Sequence, residues 1–182
     1  MAPPELRTER LVLRQWREDD RDAWAAMNAD PRVMEHFPST LTRAEADQWL
    51  EFNRDRLEAR GWGLWAVEVP GVAPFIGFVG LNGPGFDVPG HGEDCLEVGW
   101  RLAAEHWGKG YAPEGAQAAL DLAWDELGLD EVVSFTAVGN TKSRRVMEKL
   151  GLVLEREFDH PRVPDGSPIR RHALYRIGRP ER

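Results

Sequence analysis

The sequence predicts a sheet protein of the α/β or α+β class. Strand-like and helix-like segments follow one another along the chain, and 42% of the 182 residues are apolar, which is enough for one sizeable core. No internal repeat, low-complexity stretch or linker interrupts this succession. We therefore expect residues 1–182 to form a single domain.

The predicted elements of the first part of the chain are a strand at Arg10 to Trp16, a helix at Glu18 to Asn28 and a helix at Thr42 to Arg60. The strand follows from the alternation of apolar and polar residues. The first helix begins with acidic residues, which suit the positive end of a helix. The second helix begins with a capping-box pattern, Thr42 followed by Glu45, and Gly61 is its stop signal.

Strands dominate the middle of the chain, at Leu64 to Val69, Phe75 to Leu81 and Cys95 to Leu102. The strongest helix prediction is Ala112 to Leu127, because apolar residues recur there at helical spacing and Gly128 follows. The remaining predicted elements are a strand at Val132 to Val138, a helix at Thr141 to Leu150, and strands at Leu152 to Phe158 and His172 to Ile177.

Charge and composition narrow the class of partner. The 31 acidic residues exceed the 23 basic ones and give a net charge of −8, which argues against a nucleic-acid partner and suits a cationic or amine-bearing substrate. Cys95 is the single cysteine, so neither an internal disulfide nor a cysteine metal site is expected, as in a reducing cytoplasm. No apolar run approaches the roughly 18 residues of a membrane span, and no signal-peptide pattern is present. A cytoplasmic protein without a membrane partner is therefore expected.

The histidines are His36, His91, His106, His160 and His172. Their positions do not match the spacing of metal ligands, so no metal is expected.

The stretch HWGKGYAPEG, residues 106–115, lies between a predicted strand and the strongest predicted helix. Its glycines allow the backbone to approach an anion, and the helix that follows offers N–H groups and a positive dipole end. The stretch lacks the Gly-Lys-Ser/Thr ending of a Walker A loop and the GxGxxG pattern of a dinucleotide site. It predicts a phosphate-binding loop of another kind.

WGKGYA, Trp107 to Ala112, resembles the acyl-CoA pyrophosphate loop of the GCN5-related N-acetyltransferases (GNAT), written Q/R-x-x-G-x-G/A. Trp107 in the first position is typical of the ribosomal-protein (Rim-type) branch of N-terminal acetyltransferases. LRTERLVLR near the start, EVGWRL before the loop and GNTKSRRVMEKLGL after the next strand also match the family in order. The resemblance extends from Leu6 to Ile177. It implies a mixed, mostly antiparallel sheet with a splayed strand pair that admits acetyl-CoA.

The resemblance also implies a set of cofactor-binding residues. They are Val98, Gly99, Trp100, Trp107, Gly108, Lys109, Gly110, Tyr111, Ala112, Asn140, Ser143 and Arg145. Gly99 is the expected position of a bulge that separates the strands. Lys109, Lys142, Arg144 and Arg145 form a basic neighbourhood suited to the ribose phosphate. Asn140 either hydrogen-bonds the cofactor arm or caps the helix that follows it.

The implied reaction is direct attack of an amine on the thioester in a ternary complex. Glu97 is the expected general base, with Asp94 and His36 as alternatives. Ser143 is expected to protonate the leaving thiolate, and its alternative role is helix capping. Cys95 is a less favoured acyl-carrying nucleophile, since a lone cysteine on a strand is usually inert packing.

A free α-amine, whose pKa is about 8, is neutral in about one molecule in ten at pH 7, whereas a lysine amine is neutral in fewer than about one in a thousand. A protein or peptide N-terminus is therefore the leading acceptor. The alternatives are a small amine (a polyamine, an amino acid or an aminoglycoside-like antibiotic) and a CoA-binding sensor domain without turnover. A homodimer is compatible with the sequence.

Among the eight tryptophans, two groups are distinguished by their position in the predicted elements. Trp24, Trp49 and Trp124 fall on apolar helix faces and are expected in the core. Trp62, Trp65 and Trp100 are candidates to line an acceptor pocket.

Overall fold

Eight strands form one open sheet in the computed structural model, which describes residues 4–181. The strands are β1 (Leu6–Arg7), β2 (Val12–Arg14), β3 (Leu64–Val69), β4 (Ala73–Asn82), β5 (Glu97–Leu102), β6 (Glu131–Ala137), β7 (Val153–Asp159) and β8 (Arg171–Gly178). Their order in the sheet is β1-β2-β3-β4-β5-β6-β8-β7. Every neighbouring pair is antiparallel except β5 and β6, which run parallel. The predicted mixed, mostly antiparallel sheet is confirmed.

Four helices cover the sheet: α1 (Arg21–Ala29), α2 (Arg43–Arg60), α3 (Tyr111–Asp125) and α4 (Thr141–Lys149). The predicted capping box at the start of α2 is present, since the Thr42 side chain accepts from the Glu45 N–H and Glu45 accepts from the Thr42 N–H. Gly61 ends α2 in the left-handed conformation at φ 75°.

Several element boundaries differ from the predicted ones. The predicted strand from Arg10 to Trp16 is shorter, as β2, and pairs with β1, which was not predicted. The predicted first helix begins with a 3-10 turn at Glu18–Asp20, and α1 follows it. β5 begins at Glu97 rather than Cys95.

The helices lie on both faces of the sheet. Trp24 of α1 and Trp49 of α2 pack against Phe78 of β4, with ring centroids 5.9 and 5.0 Å from it. Val79, the next residue of β4, contacts α3, where a Cβ built on Gly115 would lie 3.3 Å from Val79 Cγ2. Because successive side chains of a strand point to opposite faces, α1 and α2 cover one face and α3 covers the other.

The predicted core tryptophans, Trp24, Trp49 and Trp124, do pack in the core. The prediction for Trp65 was wrong, because Trp65 is fully buried and its Nε1 donates to the carbonyl of Pro4. A side chain enclosed on all sides in this way cannot line an acceptor pocket.

A buried ion pair fixes the start of α1 against the sheet. Arg14 of β2 is 1% exposed, and its guanidinium donates to both oxygens of Asp20 at 2.8 Å. Asp20 is the residue immediately before α1. The bidentate pair therefore holds the first turn of α1 at a defined position on the sheet.

β5 and β6 part after their first contact. Glu97 pairs with Val133, whose N–H donates to the Leu96 carbonyl at 3.0 Å, and the described residues form no other backbone pair between the two strands. The side chain of Ser134 spans the beginning of the gap and donates to the Val98 carbonyl at 2.8 Å. The predicted splayed pair is confirmed.

The predicted bulge at Gly99 is absent. β4 and β5 stay in register from Gly77 opposite Leu102 to Asn82 opposite Glu97, without a shift. The gap therefore opens because β6 diverges from a regular β5, and β5 needs no extra residue to open it.

Candidate active site

The loop between β5 and α3 presents a row of unpaired amides. Gly108 and Gly110 have φ values of 73° and 81°, a region that residues with a side chain rarely adopt, and Gly110 is the residue that precedes the first turn of α3. No side chain caps this helix. Within residues 4–181, none of the N–H groups from Gly108 to Ala112 donates a hydrogen bond. These free donors and the helix dipole together suit an anion such as a pyrophosphate.

Arg10 supports this loop from the first strands. Its Nη1 donates to the Lys109 carbonyl at 2.9 Å, its guanidinium pairs with Glu114 of α3 at 2.6 Å, and it lies 5.0 Å from the centre of the Tyr111 ring. Thr8 donates to the same carboxylate at 2.6 Å. The sequence did not reveal these supports, although both Thr8 and Arg10 belong to the opening segment that carries the family resemblance.

Trp107 connects the loop with α4. Its Nε1 donates to the Leu102 carbonyl at 2.8 Å, so the indole is fixed against the end of β5. The ammonium of Lys142, in the first turn of α4, lies 4.1 Å from the centre of its ring. The two helix N-termini therefore converge at the edge where β5 and β6 separate.

The predicted basic neighbourhood divides into two kinds of residue. Lys109, Lys142 and Arg145 are exposed. Arg144 instead points inward and donates to the Tyr175 hydroxyl at 3.0 Å and to the Val138 carbonyl at 3.1 Å. The prediction that Arg144 contributes to a phosphate site was wrong, because its guanidinium is used to fix α4 on the sheet.

Asn140 is the N-cap of α4. Its Oδ1 accepts from the Ser143 N–H at 3.2 Å, and its Nδ2 donates to Thr136 Oγ1 at 2.9 Å. Of the two roles considered for Asn140, the structure shows the cap. Ser143 is half-buried, and in the described part of the chain its hydroxyl has no hydrogen-bond partner. Ser143 is therefore not the cap, and its hydroxyl is free to act on a ligand.

The edge of β5 that faces the gap has unpaired main-chain groups. Leu96 and Val98 direct their carbonyls toward β6. Since alternate residues of a strand direct their peptide groups to the same side, Trp100 presents its N–H and C=O to the gap, beyond the last contact with β6. A ligand with amides can pair there as a further strand does. The Val98 carbonyl already accepts from Ser134, which leaves it one lone pair.

Glu97 lies at the closed end of the gap. The residue is half-buried, and within residues 4–181 its carboxylate has neither a hydrogen bond nor an ion pair. Loss of hydration raises the pKa of Glu97 to about 8. The next side-chain position on the same face is Gly99, where a Cβ would lie 4.0 Å from Glu97 Oε1. A carboxylate with open space beside it and a pKa near neutrality is suited to accept a proton from a substrate.

The alternatives to Glu97 are less suited. Asp94 is exposed, and His36 has its nearest acid, Glu35, at 3.8 Å. Burial, and after it the negative charge of Glu97, raise the pKa of Cys95 to about 11. A thiol with this pKa is almost entirely protonated at neutral pH, which makes it a poor nucleophile.

The structure does not bring Glu97 and Ser143 to the same end of the gap. Val133, near the start of β6, lies beside Glu97, whereas Ser143 is in the first turn of α4, beyond the carboxyl end of β6. The two predicted catalytic side chains therefore approach the gap from different elements.

Trp62 and Trp100 differ in their suitability for an acceptor pocket. Trp62 is half-buried with the Arg60 guanidinium 5.3 Å from its ring, and it lines a small pocket with Leu81 and Asn82. Trp100 is one residue out of phase with Glu97 and Gly99, so its side chain is on the opposite face of β5.

A residue that the sequence did not single out lies on the Glu97 face. Arg101 is two positions beyond Gly99, and its Nη1 donates to Asn28 Oδ1 at 2.5 Å. No local signal marks it, because its neighbours come from distant parts of the chain.

Two kinds of feature are absent from residues 4–181. No helix there is long and apolar enough to cross a membrane. No group of three or more histidine, cysteine or acidic residues is arranged to hold a metal ion.

Comparison with known families gives a match over most of the chain. The family model described as "Acetyltransferase (GNAT) domain" matches residues 10–153. The uncharacterized protein YkkB of Bacillus subtilis is 30% identical over 154 residues, which cover 83% of this chain and 86% of that protein. The FsC-acetyl coenzyme A-N(2)-transacetylase of Aspergillus fumigatus is 32% identical over 164 residues, which cover 83% of this chain and 66% of that protein.

Solved structures share the fold. A GNAT-family acetyltransferase from Bacillus anthracis superposes with a TM-score of 0.79 at 26% identity, over 96% of this chain and 98% of that one. Two more distant structures show the fold alone. One is RimL, a ribosomal L7/L12 α-N-protein acetyltransferase in complex with coenzyme A, with a TM-score of 0.74 at 15% identity over 96% and 98% of the two chains. The other is spermidine N-acetyltransferase from Vibrio cholerae, with a TM-score of 0.71 at 22% identity over 94% and 96%.

Proposed function

The chain belongs to the GNAT family of N-acetyltransferases, whose members use acetyl-CoA, and from this membership we propose that it acetylates the α-amine of a protein or peptide N-terminus. The observation that carries the proposal is the arrangement along β5. Free amides at the start of α3 lie at the open end of the β5–β6 gap, and Glu97 lies at its closed end. The proposed enzyme binds one substrate through the main chain and deprotonates the other with a carboxylate.

The residues present fit acetyl-CoA. The N–H groups from Gly108 to Ala112 suit the pyrophosphate, and Lys109 and Arg145 are exposed cations suited to the ribose phosphate. The main chain from Val98 to Trp100 suits the amides of the pantetheine arm. The ring of Trp107 and Lys142 fix the loop in place.

Glu97 is the proposed general base. Its raised pKa, about 8, matches that of an α-amine, so proton transfer between the two groups is close to balanced. As the amine nitrogen bonds to the acetyl carbonyl carbon, Glu97 takes one proton from the nitrogen. The carbon–sulfur bond then breaks, and coenzyme A leaves as a thiolate.

Ser143 is the proposed proton donor to the departing thiolate, a role that requires the thioester to lie between Glu97 and Ser143. Its hydroxyl is free while its main-chain N–H is held by Asn140, so the side chain can turn toward the gap without loss of the helix cap. The serine regains its proton from solvent. At the end of the reaction the proton on Glu97 also passes to solvent, which restores both groups.

The runner-up acceptor is a small amine. It is supported by the net charge of −8, which attracts cations, and by the spermidine acetyltransferase among the structures that share the fold. The N-terminal acceptor is supported by the pKa of Glu97, since a lysine-like amine near 10.4 demands a stronger base.

Release of free thiol from acetyl-CoA tests the proposal. The assay compares N-terminal peptides with polyamines and amino acids at equal concentration, and mass spectrometry locates the acetyl group. We expect the highest kcat/KM for peptides and acetylation at the α-nitrogen. A preference for polyamines would make the runner-up the function, and binding of acetyl-CoA without turnover of any amine would indicate a sensor domain.

A further inference from the structure

Arg101 carries a positive charge that no anion within residues 4–181 neutralises. Its Nη1 donates to the neutral amide of Asn28, its Nε is buried without a hydrogen-bond partner, and it forms no salt bridge in the described part of the chain. Arg14, which is fully buried, contrasts with it, because Arg14 has a bidentate aspartate. Arg14 is thus neutralised within the chain, whereas Arg101 is not.

Aromatic rings surround the Arg101 guanidinium. Its central carbon lies 4.1 Å from the centre of Phe37, 5.6 Å from those of Trp24 and Phe78, and 5.9 Å from that of Trp49. Each such contact is individually weak, whereas removal of a charge from water has a large free-energy cost. Burial accordingly lowers the pKa of Arg101 to about 10. The rings hold the cation in place without neutralising it.

Arg101 shares a face of β5 with Glu97 and Gly99. Same-face neighbours of a strand are about 6.6 Å apart, so the backbone positions of Glu97 and Arg101 are separated by about 13 Å. Both residues are deep enough for loss of hydration to shift their pKa values, yet both keep part of their surface open to solvent. Gly99 between them contributes no side chain. Glu97 and Arg101 therefore lie toward opposite ends of one face of β5, with no side chain of β5 between them.

We propose that Arg101 binds a carboxylate of the acceptor and that the acceptor is a peptide with an acidic side chain at one of its first two residues. The proposal rests on the proposed function, because it assumes that the acceptor amine reacts beside Glu97. The Glu97 carboxylate, beside which the amine reacts, extends to within 4.0 Å of the Cβ position of Gly99. From there to the position of Arg101 is about two residues of extended chain. The carboxylate that Arg101 recognises therefore belongs to the first or second residue of the acceptor.

The same cation disfavours the runner-up acceptor. A polyamine bound along this face places ammonium groups beside a half-buried guanidinium that has no counter-ion within residues 4–181, and like charges in a poorly hydrated site repel strongly. The carboxylate of an acidic acceptor is instead attracted to Arg101 and supplies its missing counter-ion. Charge-assisted hydrogen bonds of this kind contribute about 1.5–3 kcal/mol, which corresponds to about a tenfold to a hundredfold preference.

The test uses peptides of one sequence that carry Glu or Gln at position 1, 2 or 6. Each peptide is assayed with the wild type, Arg101→Met and Arg101→Lys. Arg179→Met, at an exposed arginine, is the control. For the wild type and Arg179→Met, we expect kcat/KM to be at least tenfold higher with Glu than with Gln at position 1 or 2, and equal at position 6. Arg101→Met should lose this preference, so that the Glu and Gln peptides react with similar kcat/KM. Arg101→Lys should keep part of the preference.

Melting temperatures without ligand separate recognition from packing. Arg101→Met should melt no lower than the wild type, because the variant removes a buried charge that has no anion. A lower melting temperature together with an equal loss for Glu and Gln peptides would assign Arg101 a purely structural role. A wild type that does not distinguish Glu from Gln would overturn the proposal as well.

If no peptide is acetylated, the proposed function is wrong, and a second experiment tests the carboxylate site at Arg101 by itself. Calorimetry then compares N-acetylated Glu and Gln peptides as products, and turnover compares lysine with cadaverine, its analogue without the carboxylate. Tighter binding of the Glu product and preference for lysine would support the carboxylate site at Arg101 for a different acceptor. Equal binding or preference for cadaverine would overturn it.

Discussion

The ammonium of Lys142 lies 4.1 Å from the centre of the Trp107 ring, and this contact joins the β5–α3 loop to the first turn of α4. Because the loop amides are the proposed pyrophosphate site, Lys142→Ala should weaken acetyl-CoA binding by about threefold to tenfold, as loss of an exposed cation–π contact and a nearby cation suggests. Isothermal titration calorimetry measures this change. Lys149→Ala, in the last turn of the same helix, is the control and should bind normally.

Gly110→Asp should abolish the rise in melting temperature that acetyl-CoA produces. A ligand that binds only the folded state raises its stability, and this substitution places a negative charge where the anion is proposed to bind. Gly71→Asp is the matched control, since Gly71 has a similar φ of 75° and open space around it. Gly110→Asp protein that is folded and still shows the full ligand-induced shift would exclude the loop as the anion site.

The pH dependence of kcat/KM should reveal Glu97. Both Glu97, with its pKa of about 8, and an α-amine acceptor, with a pKa of about 8, must lose a proton before reaction. Below about pH 7 the logarithm of kcat/KM should therefore rise with a slope near two for the wild type. For Glu97→Gln the slope should be near one, because only the amine still titrates. Equal slopes for the two proteins would assign the base to another residue.

Glu97→Gln should be more stable than the wild type at neutral pH. Since the pKa of Glu97 is higher in the folded state than its ordinary value, folded protein binds the proton more tightly, and the wild type loses stability as pH rises from about 4.5 to about 8. The difference in melting temperature should thus be small at pH 4.5 and reach several degrees at pH 8. Glu93→Gln, an exposed neighbour, should show no such trend. A variant that melts below the wild type at pH 8 contradicts the cause given for the raised pKa.

Ser143→Ala should lower kcat while the affinity for acetyl-CoA and the melting temperature stay unchanged, because its hydroxyl makes no hydrogen bond within the described residues. Asn140→Ala provides the contrast. Loss of this N-cap should destabilise the protein by about 1 kcal/mol, or about 2–4 °C in melting temperature. If Ser143→Ala behaves like Asn140→Ala, the serine has a structural role only.

Local patterns in the sequence were sufficient to predict most elements of the fold. The apolar residues at helical spacing before Gly128 predicted α3, and Thr42 with Glu45 predicted the start of α2. Both signals are local, because a helix face and a cap are each formed by residues close in sequence. β1 was missed because two residues carry no periodicity. The position of Glu97 at the closed end of the gap remains consistent with the role predicted for it, which the pH experiment tests.

The features that sequence reasoning missed all depend on distant partners. Nothing near Arg101 in the sequence indicates that Phe37, Trp24 and Trp49 converge on it. Arg144 and Arg145 look alike as neighbours, but only the fold shows that Tyr175 engages the first of them. Trp62 and Trp65 are likewise close in sequence, but only the structure shows that Trp65 is fully buried and Trp62 half-buried.

β5 is proposed to bind acetyl-CoA through its main chain and the acceptor through its side chains, and mutations affect these two kinds of contact differently. The proposed contacts with the pyrophosphate and the pantetheine arm come from peptide groups, which are the same whatever side chain a residue bears. The proposed contacts with the acceptor come from the side chains of Glu97 and Arg101 on one face of β5. Substitutions at those positions can change the preferred acceptor and leave the donor site intact. A few mutations can therefore change the amine that such a chain acetylates. This agrees with the names of proteins similar to this chain, which differ in their acceptors.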